Sequence, residues 1–209
     1  MAKSKILVFD FDGTIADSWD AIFLTLNYLS PRFGHHKISS KSLTILRRKR
    51  FRDAIKELRV SKLKFPFLMR AVKRELGRRM NQVKPINGIT AVLQQLHQQG
   101  YTMHIVTFND AHNVTLFLKK YDLNFFQTIT GVGLLGKKGC LRCIIKHHDC
   151  QPCDILYIGD EVRDITVAHS LEIPVVSVTW GLQPRDTLTL HAPSFVVDKP
   201  SDLLTIITP

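Results

Sequence analysis

Two short apolar runs, far apart in the chain, each end abruptly in carboxylates. Lys5-Ile6-Leu7-Val8-Phe9 runs into Asp10-Phe11-Asp12-Gly13-Thr14, and Ile155 to Gly159 runs into Asp160-Glu161-Val162-Arg163-Asp164. Continuous apolar runs of this length are strands buried on both faces, which is the habit of parallel sheets covered by helices. In such sheets the carboxyl ends of the strands open on one crevice. Four carboxylates delivered to one crevice, Asp10, Asp12, Asp160 and Asp164, are costly to desolvate unless a hard cation accompanies them. A carboxylate beside such a cation can attack phosphorus and form an aspartyl-phosphate.

The remaining pattern is that of an α/β fold, a Rossmann-like parallel core. Further strands are expected at 102–107 and 174–178, with weaker ones at 127–130 and 195–197. Between them Ile89, Val92, Leu93 and Leu96 repeat at helical spacing, as do Val114, Phe117, Leu118 and Tyr121. The alternation predicts helices on both sides of the sheet. From about residue 15 to 83 no strand is evident. Helices are predicted instead from Ile15 to Leu29, stopped by Ser30-Pro31, from about Lys41 to Leu58, and from Pro66 to Met80. The expected organisation is therefore a core of 1–14 and 84–209 interrupted by an all-helical cap of 15–83, rejoined at the turn-rich Pro85-Ile86-Asn87-Gly88.

Charge is concentrated in that insertion. Between Lys37 and Arg79 there are 16 Lys plus Arg against Asp53, Glu57 and Glu75, a surplus of 13 in a chain whose net charge is +11. The rest of the chain is slightly acidic. Such a segment attracts anions: nucleic acid, acidic lipid or phosphorylated metabolites. The stretch Arg47-Arg48-Lys49-Arg50-Phe51-Arg52 is the densest part, and it suits either a funnel for a small anionic substrate or a polyanion-binding face. No stretch approaches the roughly 20 apolar residues of a membrane span. The first strand leaves no room for a secretion signal, so a cytoplasmic protein without a membrane partner is expected.

The four cysteines, Cys140, Cys143, Cys150 and Cys153, form two Cys-x-x-Cys pairs only six residues apart. Leu141, Ile144, Ile145 and His148 repeat at helical spacing through them. Ten helical residues rise about 15 Å, too far for one zinc ion to hold both pairs, so ordinary reduced thiols are expected.

The segment Asp10-Phe11-Asp12-Gly13-Thr14-Ile15-Ala16-Asp17-Ser18 resembles the first motif of the haloacid dehalogenase superfamily of phosphatases. Ile105-Val106-Thr107 resembles the second motif, Gly136-Lys137 at the head of a helix the third, and Gly159-Asp160-Glu161-Val162-Arg163-Asp164-Ile165 the fourth, in the family's order. Val178-Thr179-Trp180-Gly181 and the helical insertion are similar to features of the phosphoglycolate phosphatase-like branch. The resemblance implies that Asp10 is the nucleophile and that Asp12 protonates the leaving alkoxide, then deprotonates the hydrolytic water. It implies that Thr107 and Lys137 bind and neutralise the phosphoryl group. Magnesium would be held by Asp10, the Asp12 carbonyl, Asp160 and Asp164. The implied activity is magnesium-dependent hydrolysis of a small phosphorylated metabolite, a phosphoglycolate-like monoester. The alternatives are a sugar phosphomutase of the same superfamily, or a nucleic-acid- or polyanion-binding protein on an inactive phosphatase fold. Two departures stand out: a bulky Phe108 directly after Thr107, and Lys138 beside Lys137, which leaves the third-motif lysine open between the two.

Overall fold

The computed structural model describes residues 6–47, 49, 56, 59–61, 63–132 and 136–208. Lys5 and most of the second half of the expected 41–58 helix lie outside the described residues, as do Arg48, Arg50, Phe51 and Arg52.

Six strands form one parallel sheet in the order β5-β4-β1-β6-β7-β8: β1 (Ile6–Phe9), β4 (Thr102–Thr107), β5 (Phe126–Gly131), β6 (Ile155–Gly159), β7 (Val175–Val178) and β8 (Phe195–Val197). All six expected strands are present, within a residue or so of the expected bounds. Alternation along β1 sends Leu7 and Phe9 to one face and Ile6 and Val8 to the other. The first face packs against α4 (Ile89–Gln98) and α5 (Ala111–Lys120), whose periodic residues Leu93, Leu96, Val114 and Phe117 are buried there, and against α9 (Asp202–Ile207). The second face packs against α6 (Gly136–His148), α7 (Val162–His169) and α8 (Arg185–Thr189). Cys140 and Cys143 lie within α6, and Cys150 and Cys153 follow its end.

The chain leaves β1 for β4 and β5 on one side, then crosses back to β6, β7 and β8 on the other. The direction of winding therefore reverses at β1 and β6, and a crevice opens at their carboxyl ends. Asp10 and Asp160 stand at that point, and the Asp10 amide donates to the Ile158 carbonyl at 2.8 Å.

A helical segment intervenes between β1 and β4: α1 (Trp19–Phe33), α2 (Ser40–Arg47) and α3 (Phe65–Arg79). Its two ends are tied by a short antiparallel pair, β2 (Ala16–Asp17) and β3 (Lys84–Pro85). That pair corrects the expectation of no strand in 15–83, and it explains why the first helix begins at Trp19 rather than Ile15. Pro31 does not stop α1. It sits in the last turn, where it removes one amide bond, and the helix ends at Gly34, whose φ is +71° and whose amide bonds the Ser30 carbonyl. In α3, Pro66 occupies the first turn, where its missing N–H costs nothing. Helices α1 and α3 bury their own cluster of Leu29, Phe33, Leu68, Ala71 and Val72.

Candidate active site

The sheet brings together the residues that the two carboxylate-ended runs supply. Asp10, Asp160 and Asp164 are buried, and one carboxylate oxygen of each lies within 4.8 Å of the others. Lys137, in the first turn of α6, is 3 % exposed and reaches into this group. Its Nζ donates to Asp10 Oδ2 and to Asp164 Oδ1, both at 2.6 Å. Lys138 is only partly buried, and the lysine on the carboxylates is Lys137. Leu141 and Ile144 on the core face of α6 fix that register.

Three acids are grouped here and one ammonium bonds two of them, so acidic groups outnumber the cation. Burial, reinforced by Asp164 and Glu161, outweighs Lys137 and raises the Asp10 carboxyl to about 7. Burial and the neighbouring acids Glu161, Asp10 and Asp164 push Asp160 well above the carboxylate range. Lys137 runs the other way: burial pulls it down, but the Asp10 and Asp164 carboxylates win and raise it well above an ordinary lysine.

Each acid is held by neighbours. Asp10 Oδ1 accepts from the Phe11 amide at 2.7 Å. Asp160 Oδ2 accepts from the Leu182 amide at 2.7 Å and from the Trp19 indole at 3.3 Å, while Oδ1 accepts from Thr14 Oγ1 at 3.3 Å. Asp164 accepts from the Tyr157 hydroxyl at 3.1 Å and, through Oδ2, from the Glu161 amide at 3.2 Å across the first turn of α7. Two glycines make room for Asp160. A Cβ at Gly181 would overlap its side chain, and one at Gly13, where φ is +81°, would overlap its carboxylate and the Trp19 indole.

Asp12 is placed differently. Its carboxylate is outside the three-acid cluster and accepts from Ser18 Oγ at 2.6 Å and Asn109 Nδ2 at 3.1 Å. Burial raises its carboxyl, against those two hydrogen bonds. Asn109 continues outward: its Oδ1 accepts from Asn113 Nδ2 at 3.2 Å, and the same amide donates to the Lys73 carbonyl of α3 at 3.0 Å. Thr107 is fully buried, and its Oγ1 accepts the Asn109 amide at 3.0 Å. Asn109, Trp19, Tyr157 and Leu182 were not singled out from the sequence. The only local signal was Asn109's place two residues after Thr107.

A cavity of about 310 Å³ opens over Asp10 and Asp12. Its walls come from both parts of the chain, with Trp19, Ile22, Phe65 and Met69 on the helical side and Phe108 and Val132 on the sheet side. Two cations approach the Phe108 ring, the Arg163 guanidinium at 4.3 Å and Lys137 Nζ at 5.2 Å. A second, larger groove of about 980 Å³ follows the neighbouring face of α3, and Arg32, Lys64, Arg70, Arg74 and Arg78 line it. Lys73 borders both cavities.

The family model for haloacid dehalogenase-like hydrolases matches residues 7–178, and the chain belongs to that family. A phosphoglycolate phosphatase of Synechococcus elongatus is 29% identical over 206 residues, covering 98% of this chain and 97% of the relative. The pyrophosphatase PpaX of Bacillus mycoides is 24% identical, covering 99% and 98%. Among solved structures, a haloacid dehalogenase-like hydrolase from Streptococcus pneumoniae superposes with a TM-score of 0.84 at 21% identity over 100% of both chains. A predicted phosphatase from Clostridium acetobutylicum gives 0.85 at 21% identity over 99% of both. These structures share the fold.

Proposed function

We propose that the protein is a magnesium-dependent phosphatase that hydrolyses a small phosphorylated metabolite through an aspartyl-phosphate on Asp10. The observation that carries this reading is the shared ammonium: Lys137 bonds Asp10 and Asp164 at 2.6 Å while Asp160 completes a buried acidic triad. The donor set fits a hard divalent cation. It is all oxygen, buried, and carries more negative charge than Lys137 offsets. Asp10, Asp160 and Asp164 would hold magnesium, with Asp12 contributing its main-chain carbonyl. When bound, the ion would neutralise phosphoryl charge and so favour attack by an anion.

The chain's own groups do the rest. Asp10, held by the Phe11 amide and Lys137, attacks phosphorus in line. Asp12, whose carboxyl burial raises, gives its proton to the leaving alkoxide and later takes one from the attacking water. Lys137 and Thr107 offset charge on the phosphoryl oxygens. The helices of 15–83 act as a cap whose α3 closes the cavity and excludes water. Core and cap divide at 1–14 with 84–209 and 15–83. No described helix is long and apolar enough to cross a membrane.

The names of the relatives make phosphoglycolate and pyrophosphate the reference compounds. The test is phosphate release from a panel of phosphorylated metabolites, with and without magnesium, by the protein and by Asp10→Asn. Release that requires magnesium and is lost in Asp10→Asn is expected. Equal release by the variant would overturn the reading.

A further inference from the structure

The phosphoryl end of the cavity is polar, but the space for the alcohol half of the substrate is not. Beyond Asp10 and Asp12 the lining is Ile22, Phe65, Met69, Val72 and Leu76 from the helices, facing Phe108 and Val132 from the sheet. The charged groups on this wall are largely engaged. Glu161 and Arg163 neutralise each other through hydrogen bonds of 2.9 and 2.5 Å, and the Arg163 guanidinium is stacked on Phe108. Lys73 also lines the cavity, its Nζ 3.5 Å from the Val132 carbonyl. A second carboxylate on the substrate would have to be met by Lys73, while the apolar walls went unused.

We propose that the substrate is the phosphate ester of a small apolar alcohol, aliphatic or aromatic, rather than of a hydroxy acid. This rests on the phosphatase reading and narrows it. Cap and sheet clamp the hydrocarbon between Phe65, Met69 and Phe108 while the phosphoryl group lies on Asp10. Each methylene removed from water contributes about 0.8 kcal/mol, a factor of about four in catalytic efficiency if that contact is kept in the transition state.

The experiment measures kcat/KM of the full chain with magnesium on straight-chain alkyl phosphates from ethyl to hexyl, beside phosphoglycolate. A rise of about fourfold per methylene is expected, with hexyl phosphate overtaking phosphoglycolate. Phe65→Ala and Met69→Ala should flatten the series, lowering the long esters more than the ethyl ester. A flat or falling series, or phosphoglycolate preferred over every alkyl ester, would overturn the inference and leave the phosphatase reading intact. Activity on phosphoglycolate that vanished in Lys73→Met, with the alkyl esters poor throughout, would overturn it in favour of an anionic leaving group. Release from no phosphomonoester at all would overturn the phosphatase reading, and the inference with it.

Discussion

Replacing Lys137 with methionine removes one ammonium and keeps most of the side-chain volume, so its effect is electrostatic. In the metal-free protein the Asp10 carboxyl sits at about 7, against 3.8 for an unperturbed aspartate. Between those values the folded chain holds a proton that the unfolded chain has lost, so this group makes stability fall as pH rises through that window. Lys137 is the largest influence opposing the shift, and its loss moves the folded value higher still. Below about pH 7 Asp10 is protonated in both proteins, and the variant differs mainly by the lost bond to Asp164. Above it, only the parent can release the proton against a nearby cation. The extra destabilisation should then grow by about 1.4 kcal/mol per pH unit. That growth continues as long as Asp10 of the variant keeps its proton, and the roughly 3–5 kcal/mol of breaking a buried ion pair sets its scale. Urea unfolding in chelator, with parent and Lys137→Met compared below and above about pH 7, measures it. A difference that does not change with pH would refute the reasoning, as would an equal effect from Lys138→Met.

Turnover should follow the same residue: Lys137→Met should lower kcat by about 10²–10³-fold, and Lys138→Met should be near neutral in a phosphate-release assay. Gly181→Ala, whose Cβ would overlap Asp160, should weaken magnesium binding by about 10–100-fold by calorimetry, as changes in the groups that position a metal ligand do; unchanged affinity would mean that Asp160 is not needed in its observed position. Asn109→Ala should raise the Asp12 carboxyl further by removing one of the two hydrogen bonds that hold it down. The alkaline limb of single-turnover phosphorylation should then move to higher pH, and an unmoved limb would disconnect Asp12 from that proton transfer. Neutralising Arg70 and Arg74 together should flatten the salt dependence of kcat/KM if the basic groove steers substrate; parallel salt profiles would remove that role.

The strands were legible because a buried parallel strand writes itself as a continuous apolar run, and Asp10 and Asp160 because each ends such a run. The choice between Lys137 and Lys138 stayed open in the sequence, because one residue of helical register decides which of two adjacent lysines faces the acids. What holds the acids was not legible. Trp19 and Thr14 reach Asp160 across 141 and 146 residues of chain, and Asn109 reaches Asp12 across 97, so no spacing announces them. The start of α1 was misplaced for a similar reason, since Ala16 and Asp17 are drawn into a strand by pairing with Pro85 and Lys84. Charge counting found the basic segment but not its sides. In α3 the cations Arg70, Arg74 and Arg78 line the outer groove, while Val72 and Leu76 line the cavity above Asp10.

The central claim is that Asp10, not water, first attacks phosphorus. Each in-line displacement inverts the configuration at phosphorus, so a covalent intermediate gives two inversions and net retention. The most direct measurement is the stereochemical course of hydrolysis of an isotopically chiral thiophosphate ester with magnesium. Retention is the result expected from an aspartyl-phosphate; inversion would show a single attack by water and contradict the account.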